Sequence, residues 1–200
     1  FTVLELYTSH MTGFMSMLAD HLVLGNTALV LAALGALLAF TAGAAVSAML
    51  VNWARLLGLR STYALPLLLV ALLMLLFGLV GSVTMNWKTL FAVPMTVLLL
   101  SFMMGVQNAT LTKMSNATIR TTHMTGVVTD LGIELGKMLF WNRLAGVQQQ
   151  KVRANWSKVR LFSGLLGMFF VGGIAGALGF KQWGFVCVVP LALLLMLVSL

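Results

Sequence analysis

Long runs without charged residues dominate the chain and alternate with short polar gaps. Such runs extend over residues 28–51, 64–85, 89–111, 161–180 and 182–200, and each is long enough to cross about 30 Å of hydrocarbon. They are rich in leucine, alanine, glycine and methionine and lack the alternation typical of barrel strands. The pattern therefore predicts an all-α, polytopic transmembrane helical bundle.

Two shorter segments, residues 13–25 and 126–141, also have a helical pattern. At about 1.5 Å of rise per residue they reach only about 19 and 24 Å, too short to span comfortably. They contain ionisable groups that are costly at mid-bilayer: Asp20, His21, Asp130, Glu134 and Lys137. We expect both segments to be re-entrant half-helices.

Composition excludes a soluble globule, because 60% of the residues are hydrophobic and only 8% are charged, against about 25% in soluble domains. The single cysteine, Cys187, excludes an internal disulfide. The net charge of +8 comes from basic residues in the short gaps, which indicates membrane topology and not nucleic-acid binding. No catalytic, metal or cofactor motif occurs, so we expect neither an enzyme nor a cofactor.

An internal repeat organises the chain. The sequence TSHMTG at residues 8–13 recurs as TTHMTG at residues 121–126, identical at five of six positions. A matching stripe follows on a long helix of each copy: Phe40, Gly43 and Ser47, then Phe170, Gly173 and Ala177. The repeats predicted are residues 1–88 and 89–200, and the second contains an extra basic segment, residues 142–160.

The second repeat opens with the helix at residues 89–111, whose counterpart would precede Phe1. We therefore expect the first repeat's initial helix to be absent from this chain. The intact product should then be about 20 to 40 residues longer and have six spans.

The sequence resembles a known family at three places: MGVQNA at residues 104–109, TTHMTGVVTDL at residues 121–131 and SHMTG at residues 9–13. These resemble the YoaK-like family of uncharacterised bacterial multi-pass membrane proteins, and the similarity covers nearly the whole chain. The resemblance implies six helices in the bacterial inner membrane and gives no substrate. The chain departs from the family at Phe14, where members usually have asparagine, and in its initial helix.

The distribution of basic residues predicts the topology. With re-entrant half-helices, the cytoplasmic side holds Arg55, Arg60, Lys113, Arg120, Lys137, Arg143, Lys151, Arg153, Lys158 and Arg160, and only Lys88 and Lys181 lie outside. If both short helices spanned the membrane, only seven basic residues would remain inside. The charges thus favour an inverted 3+3 repeat with a cytoplasmic C-terminus.

Inverted repeats with half-helices are typical of secondary transporters, where helix N-termini converge on a polar solute. Six residues form the predicted substrate site: Thr12, Gly13, Gln107, Asn108, Thr125 and Gly126. In this interpretation the threonines cap the half-helices and the glycines allow close approach. The alternative is that Thr-Gly only caps a packed helix and that the two amides join neighbouring helices.

Four ionisable residues are candidates for proton coupling: His10, His123, Asp130 and Glu134. The histidines directly precede the Thr-Gly caps, and the carboxylates lie four residues apart on one helix. The alternatives are structural histidines and a Glu134 neutralised by Lys137.

The leading hypothesis is therefore a secondary transporter or channel-like carrier of a small polar or anionic solute. The alternative is a non-transporting structural or assembly subunit of a larger membrane complex. The partners expected are the lipid bilayer and anionic headgroups at residues 142–160, together with a homo-oligomer or a larger complex.

Overall fold

The computed structural model describes residues 8–84, 92–115, 123–140 and 153–199, without the side chains of residues 80, 82–84 and 92–94. The helices are α1 (Met11–Val23), α2 (Thr27–Leu56), α3 (Ala64–Thr84), α4 (Ala92–Met114), α5 (Met124–Leu139), α6 (Trp156–Trp183) and α7 (Val188–Ser199), with a 3₁₀ turn at Gly184–Cys187. These ranges contain no strand, which confirms the all-α prediction.

Within the described ranges, three helical segments are long and apolar enough to cross a membrane: Thr27–Leu56, Met95–Met114 and Trp156–Ser199. A shorter apolar stretch occupies Ala64–Leu79 of α3. The chain is thus a helical protein with the apolar helices of a membrane protein. Separate spans at residues 161–180 and 182–200 were predicted, and two helices, α6 and α7, lie there on either side of the 3₁₀ turn, although α7 has only 12 residues.

Two predicted boundaries need correction. α6 begins at Trp156, so residues 156–160 of the predicted basic loop are helical. The cause is Asn155, whose Oδ1 accepts hydrogen bonds from the backbone N–H groups of Ser157 at 3.0 Å and Lys158 at 3.3 Å. α6 also continues past Lys181 and stops at Gly184, whose φ of +57° suits a residue without a side chain. Residues 142–152 lie outside the described part of the chain.

The contacts divide the chain into two compact units, residues 1–119 with 176–200 and residues 120–175. We describe each unit by itself. These units differ from the predicted repeats at residues 1–88 and 89–200, which sequence similarity defines. The inverted repeat and the re-entrant helices therefore stay predictions.

In the first unit, glycines bring the backbones of α2 and α4 into contact. A β-carbon at Gly43 would overlap the carbonyl oxygen of Phe102, and one at Gly105 would overlap that of Phe40. Small residues allow this approach, which is the usual way in which helices associate within a membrane. The crossing is thus reciprocal, with one glycine from each helix.

The contacts on either side of this crossing give the helix direction. Gly35 of α2 lies next to Leu98 of α4, and Ser47 of α2 is bonded to Thr110 of α4. Both residue numbers rise together, so α2 and α4 run parallel.

α3 runs in the opposite direction to α2 and α4. The Tyr63 hydroxyl, just before α3, donates to the carbonyl oxygen of Lys113 at 3.3 Å. Near the other end of α3, Gly78 and Gly81 lie against Phe185 of the 3₁₀ turn. Consequently α3 is antiparallel to α4, and its two ends mark opposite ends of the unit.

Phe185 fixes the C-terminal helices onto α3. It is buried and meets Phe77 and Phe180 edge to face, with ring centroids 5.3 and 5.1 Å apart. Lys181 lies one helical turn before this residue and therefore at the end of the unit opposite Lys113. The charge-based topology predicts these two lysines on opposite faces of the membrane, and it stays a prediction.

The predicted topology can be tested by labelling. With Cys187 replaced by serine, single cysteines at Arg60, Arg153 and Lys181 should react with a membrane-impermeant maleimide. We expect Arg60→Cys and Arg153→Cys to label from one face and Lys181→Cys from the other, because a span separates them. Labelling of all three from one face would contradict the topology.

The glycine crossing predicts a difference between two alanine substitutions. Gly43→Ala should lower the free energy of unfolding by roughly 1 to 3 kcal/mol, because the new methyl meets backbone that cannot move aside. Gly167→Ala on α6 is the matched control, since nothing described lies within 4 Å of that position. Thermal unfolding followed by circular dichroism in detergent measures both, and equal stability of the two variants would refute the crossing.

Candidate functional site

The first Thr-Gly motif begins α1, but its threonine is not the cap. The N-cap residue is His10, whose carbonyl oxygen accepts from the Phe14 N–H at 3.2 Å, so Thr12 lies inside the first turn. The predicted cap at Thr12 is wrong, because the helix starts two residues earlier than the 13–25 segment. A β-carbon at Gly13 would come within 2.7 Å of His10 Nδ1, so the imidazole occupies the space that the glycine leaves.

Phe14 shows what this end of α1 packs against. Its side chain is 4% exposed and forms an apolar cluster with Ala33 and Ala36 of α2 and Val97 of α4. Gln107 lies about 15 Å further along α4, at 1.5 Å of rise per residue. The first motif therefore lies at the level of Val97, away from the predicted amide contacts.

The second motif has the same local structure in the second unit. His123 is the N-cap of α5 and its carbonyl oxygen accepts from the Val127 N–H at 3.1 Å, so the predicted cap at Thr125 is also wrong. Thr125 instead accepts, through its carbonyl oxygen, a 2.8 Å bond from the Thr129 hydroxyl. Thr125 and Gly126 are exposed, and nothing described lies within 4 Å of a β-carbon at Gly126.

Buried hydroxyl groups lie on the interface of α2 and α4. Ser47 Oγ is 2.9 Å from Thr110 Oγ1, and the Thr110 hydroxyl donates to the Val106 carbonyl oxygen at 2.7 Å. Because threonine has one hydroxyl proton, Ser47 is the donor to Thr110. The sequence analysis did not single out Thr110, although a polar residue within an apolar run is the signal that could have found it.

Ser101 is a further buried hydroxyl on α4. The residue is fully buried, and its Oγ has no hydrogen-bond partner among the described residues. It lies one helical turn before Gly105, and the half-buried amides Gln107 and Asn108 follow on the same helix. Ser101, the two predicted amides and Thr110 are therefore four of the polar residues of this membrane-spanning helix.

In the second unit, Glu134 holds the start of α6. Its side chain is buried, with Oε1 2.8 Å from Lys137 Nζ. Its Oε2 accepts the backbone N–H of Asn155 at 2.7 Å. Asn155 caps α6 with its own side chain, so both its amide and its side chain serve the helix start. Glu134 thus ties α5 to the first turn of α6.

The hydrogen bond from Lys137 and that from the Asn155 backbone lower the pKa of Glu134, and the charges of Lys137 and Lys158 add to them. Burial acts in the opposite direction and is outweighed. Asp130, its predicted partner in a two-carboxylate site, is exposed. Among the described contacts, the Glu134 carboxylate is bound by the Lys137 ammonium group and by a backbone N–H. This is the arrangement expected if Lys137 neutralises Glu134, which was the alternative to a role in proton coupling.

Glu134 predicts a pH dependence of stability. Because its pKa is lowered, the bonds to Lys137 and Asn155 are present at neutral pH and are lost as the pH falls through that lowered pKa. The wild type should unfold at a higher temperature than Glu134→Gln at pH 7, and the difference should shrink below about pH 4. Asp130→Asn is the matched control and should not change this profile. A difference that stays constant from neutral to acidic pH would contradict the assignment.

Comparison with known proteins gives a family and no activity. No curated protein and no solved structure matches the chain. A family model described as a protein of unknown function, DUF1275, matches residues 1–200. Because the match covers the whole chain, the protein belongs to the DUF1275 family.

Proposed function

We propose that this membrane protein is a secondary carrier for a small polar or anionic solute. The observation that carries the proposal is the buried Ser101 hydroxyl, which has no partner among the described residues of the chain. A buried polar group without a partner is costly, so native proteins usually satisfy it with water or a ligand. On a membrane-spanning helix, such a group is suited to a transient polar occupant.

Two further polar residues of α4 are part of this proposal. Gln107 and Asn108 lie two turns beyond Ser101 on α4 and are half-buried. Their amides can donate to an anion and accept from a polar solute. Each unit also has an exposed helix start of its own, with Thr12 on α1 and Thr125 on α5, and the unbonded backbone N–H groups there favour negative charge.

Proton coupling is assigned to the exposed ionisable residues. These are His10, His123 and Asp130. Glu134 is already bound by Lys137 and the Asn155 amide, so its role in the proposal is to position α5. Alternating access would be a movement of one repeat against the other, as in other carriers with inverted repeats.

A structural subunit is the second candidate, and Phe14 favours it. This side chain packs into the apolar cluster beside α2 and α4, and the His10 ring covers Gly13. Both features are what a packing motif needs, and neither needs a solute. In this case the Thr-Gly motifs would stabilise the bundle within a larger complex.

We also propose that anionic lipid headgroups bind at the start of α6. Arg153, Lys158 and Arg160 are exposed there, and Trp156 is 67% exposed. Trp156 and Arg160 line a depression of about 590 Å³. Basic residues beside a tryptophan at the end of a membrane helix are typical of the headgroup region.

Uptake measurements test the carrier proposal. Proteoliposomes would be screened with radiolabelled amino acids, small carboxylates and inorganic phosphate, with and without a pH gradient. For the solute transported, Ser101→Ala and Asn108→Leu should reduce uptake, and His123→Gln should reduce its dependence on the pH gradient. The fold of each variant is checked by circular dichroism.

Thr41→Val is the matched control, because Thr41 lies on α2 and its hydroxyl bonds only to the Leu37 carbonyl oxygen of its own helix among the bonds described. Its uptake should equal that of the wild type. If no solute of the panel is transported, or if Ser101→Ala and Asn108→Leu transport normally while folded, the structural subunit replaces the carrier.

A further inference from the structure

The first turn of α1 lies level with Ser101 of α4. A short connection joins α1 to α2, and Phe14 packs with Ala33 and Ala36, so α1 folds back antiparallel to α2. Because α2 and α4 are parallel, α1 is antiparallel to α4 as well. Phe14 and Val97 belong to the same apolar cluster. Four residues from Phe14 towards the start of α1, and four from Val97 to Ser101, are the same distance in the same direction, about 6 Å.

Ser101 also lies on the side of α4 that is turned towards α1 and α2. At about 100° per residue, it points about 40° from Val97, which belongs to the cluster with Phe14, and about 40° from Gly105, which meets α2. The Cα atoms of α1 are more than 8 Å from those of α4, too far for a serine hydroxyl to bond a backbone N–H directly. The buried Ser101 hydroxyl therefore faces the start of α1 across a gap.

The start of α1 supplies hydrogen-bond donors that no side chain caps. Its N-cap residue, His10, makes no side-chain cap bond, and the first N–H bonded within the helix is that of Phe14. The N–H groups of Met11, Thr12 and Gly13 therefore have no partner within the helix. They form the positive end of the helix dipole, equivalent to about half a charge. The gap beside α4 thus has donors on both sides.

The nearby charges favour an occupant with a single negative charge. Asp20 is the one acidic residue of α1, α2 and α4, and it lies about 14 Å from the start of α1. The lysine and arginine of these three helices are Lys113 and Arg55, about 18 Å or more along from the level of Ser101. Donors without an acidic neighbour favour an anion, and without a full positive charge nearby a second negative charge would be too costly to bury.

We propose that a small singly charged anion, such as chloride, nitrate or formate, binds between the Ser101 hydroxyl and the first turn of α1. This inference rests on the carrier proposal, because it names the class of solute for the same hydroxyl. The anion accepts hydrogen bonds from Ser101 on one side and from the backbone N–H groups of Thr12 and Gly13 on the other. It gives the buried hydroxyl the partner that the described residues do not supply.

Chloride binding by the purified full chain tests the site. In a non-ionic detergent, bound chloride is measured by the extra line width that the protein gives to the nuclear magnetic resonance signal of chloride. We expect broadening that nitrate and formate remove by competition. Sulfate at the same ionic strength should remove far less of it, because sulfate is divalent. Equal competition by sulfate would assign the chloride to exposed basic residues and overturn the proposal.

Substitutions on both sides of the gap test its composition. Ser101→Ala should weaken chloride binding roughly tenfold, because it removes one hydrogen bond to a charged group. Thr12→Asp puts a carboxylate at the helix start, and it should bind chloride about tenfold or more weakly than Thr12→Asn, which has the same shape without the charge. Thr41→Val is the matched control: it removes a hydroxyl of α2 that bonds to its own helix, and it should bind chloride like the parent.

Thermal unfolding shows whether Ser101→Ala acts on the site or on the fold. The variant loses a buried hydroxyl without a described partner, so without chloride it should unfold at or above the midpoint of the parent. Chloride should raise the midpoint of the parent more than that of the variant, because a ligand stabilises the state that binds it. A variant that unfolds earlier than the parent without chloride would give the hydroxyl a structural role and overturn the proposal.

The binding measurements and the uptake screen separate the anion site from the carrier proposal. A parent protein that does not bind chloride overturns the site, as does binding that Ser101→Ala leaves unchanged or that is equal in Thr12→Asp and Thr12→Asn. In either case the carrier proposal stands if a solute without net charge is taken up. Chloride binding that depends on both positions, without uptake of any solute including chloride, supports the site and refutes the carrier.

Discussion

The direct backbone contact between α2 and α4 is the constraint on which the first unit depends. Gly43 and Gly105 each occupy a place where any side chain would overlap a carbonyl oxygen of the other helix. This contact brings Ser47 within hydrogen-bond distance of Thr110 and buries Ser101. The polar groups that support a carrier are therefore held in place by two residues that have no side chain.

In the second unit the main interaction is the capping of a helix start and not close packing of two helices. Glu134 binds the backbone N–H of Asn155, and Asn155 caps the first turn of α6. The charge of Lys137 compensates that of the buried Glu134 carboxylate, so the contact between α5 and α6 carries little net charge. The buried carboxylate on α5 thus has a structural explanation, whereas Asp130, one turn earlier on the same helix, is exposed.

Much of the fold could be predicted from the sequence, because charge-free runs of sufficient length have few structures available in a bilayer. The helices α2, α3 and α4 were predicted within a few residues of their ends. The start of α6 was not predicted correctly. Its cap is Asn155, which lies next to a basic segment that was interpreted as a loop. The Thr-Gly motifs were predicted as caps because threonine is a common cap, but the N-cap residues are the histidines two positions before the threonines.

The candidate site was harder to predict, since it depends on which faces meet. The sequence pointed to Gln107 and Asn108 as polar residues in a span, but periodicity alone could not distinguish a buried Ser101 from an exposed Thr41. Likewise, the glycine stripe on α2 was visible in the sequence, whereas its partner glycine on α4 belongs to the other repeat. Contacts between helices far apart in sequence supplied that information.

Disulfide formation between α2 and α4 tests the central contact most directly. In a Cys187→Ser background, cysteines replacing Ser47 and Thr110 should form a disulfide on mild oxidation, because the two hydroxyl oxygens are 2.9 Å apart. The pair Thr41→Cys and Thr110→Cys is the control and should stay reduced, since position 41 lies nearly two turns away along α2. A mass shift of two hydrogens in the first pair alone is the predicted result. Failure of the Ser47 and Thr110 pair to cross-link in folded protein, or equal cross-linking of the control, would contradict the account.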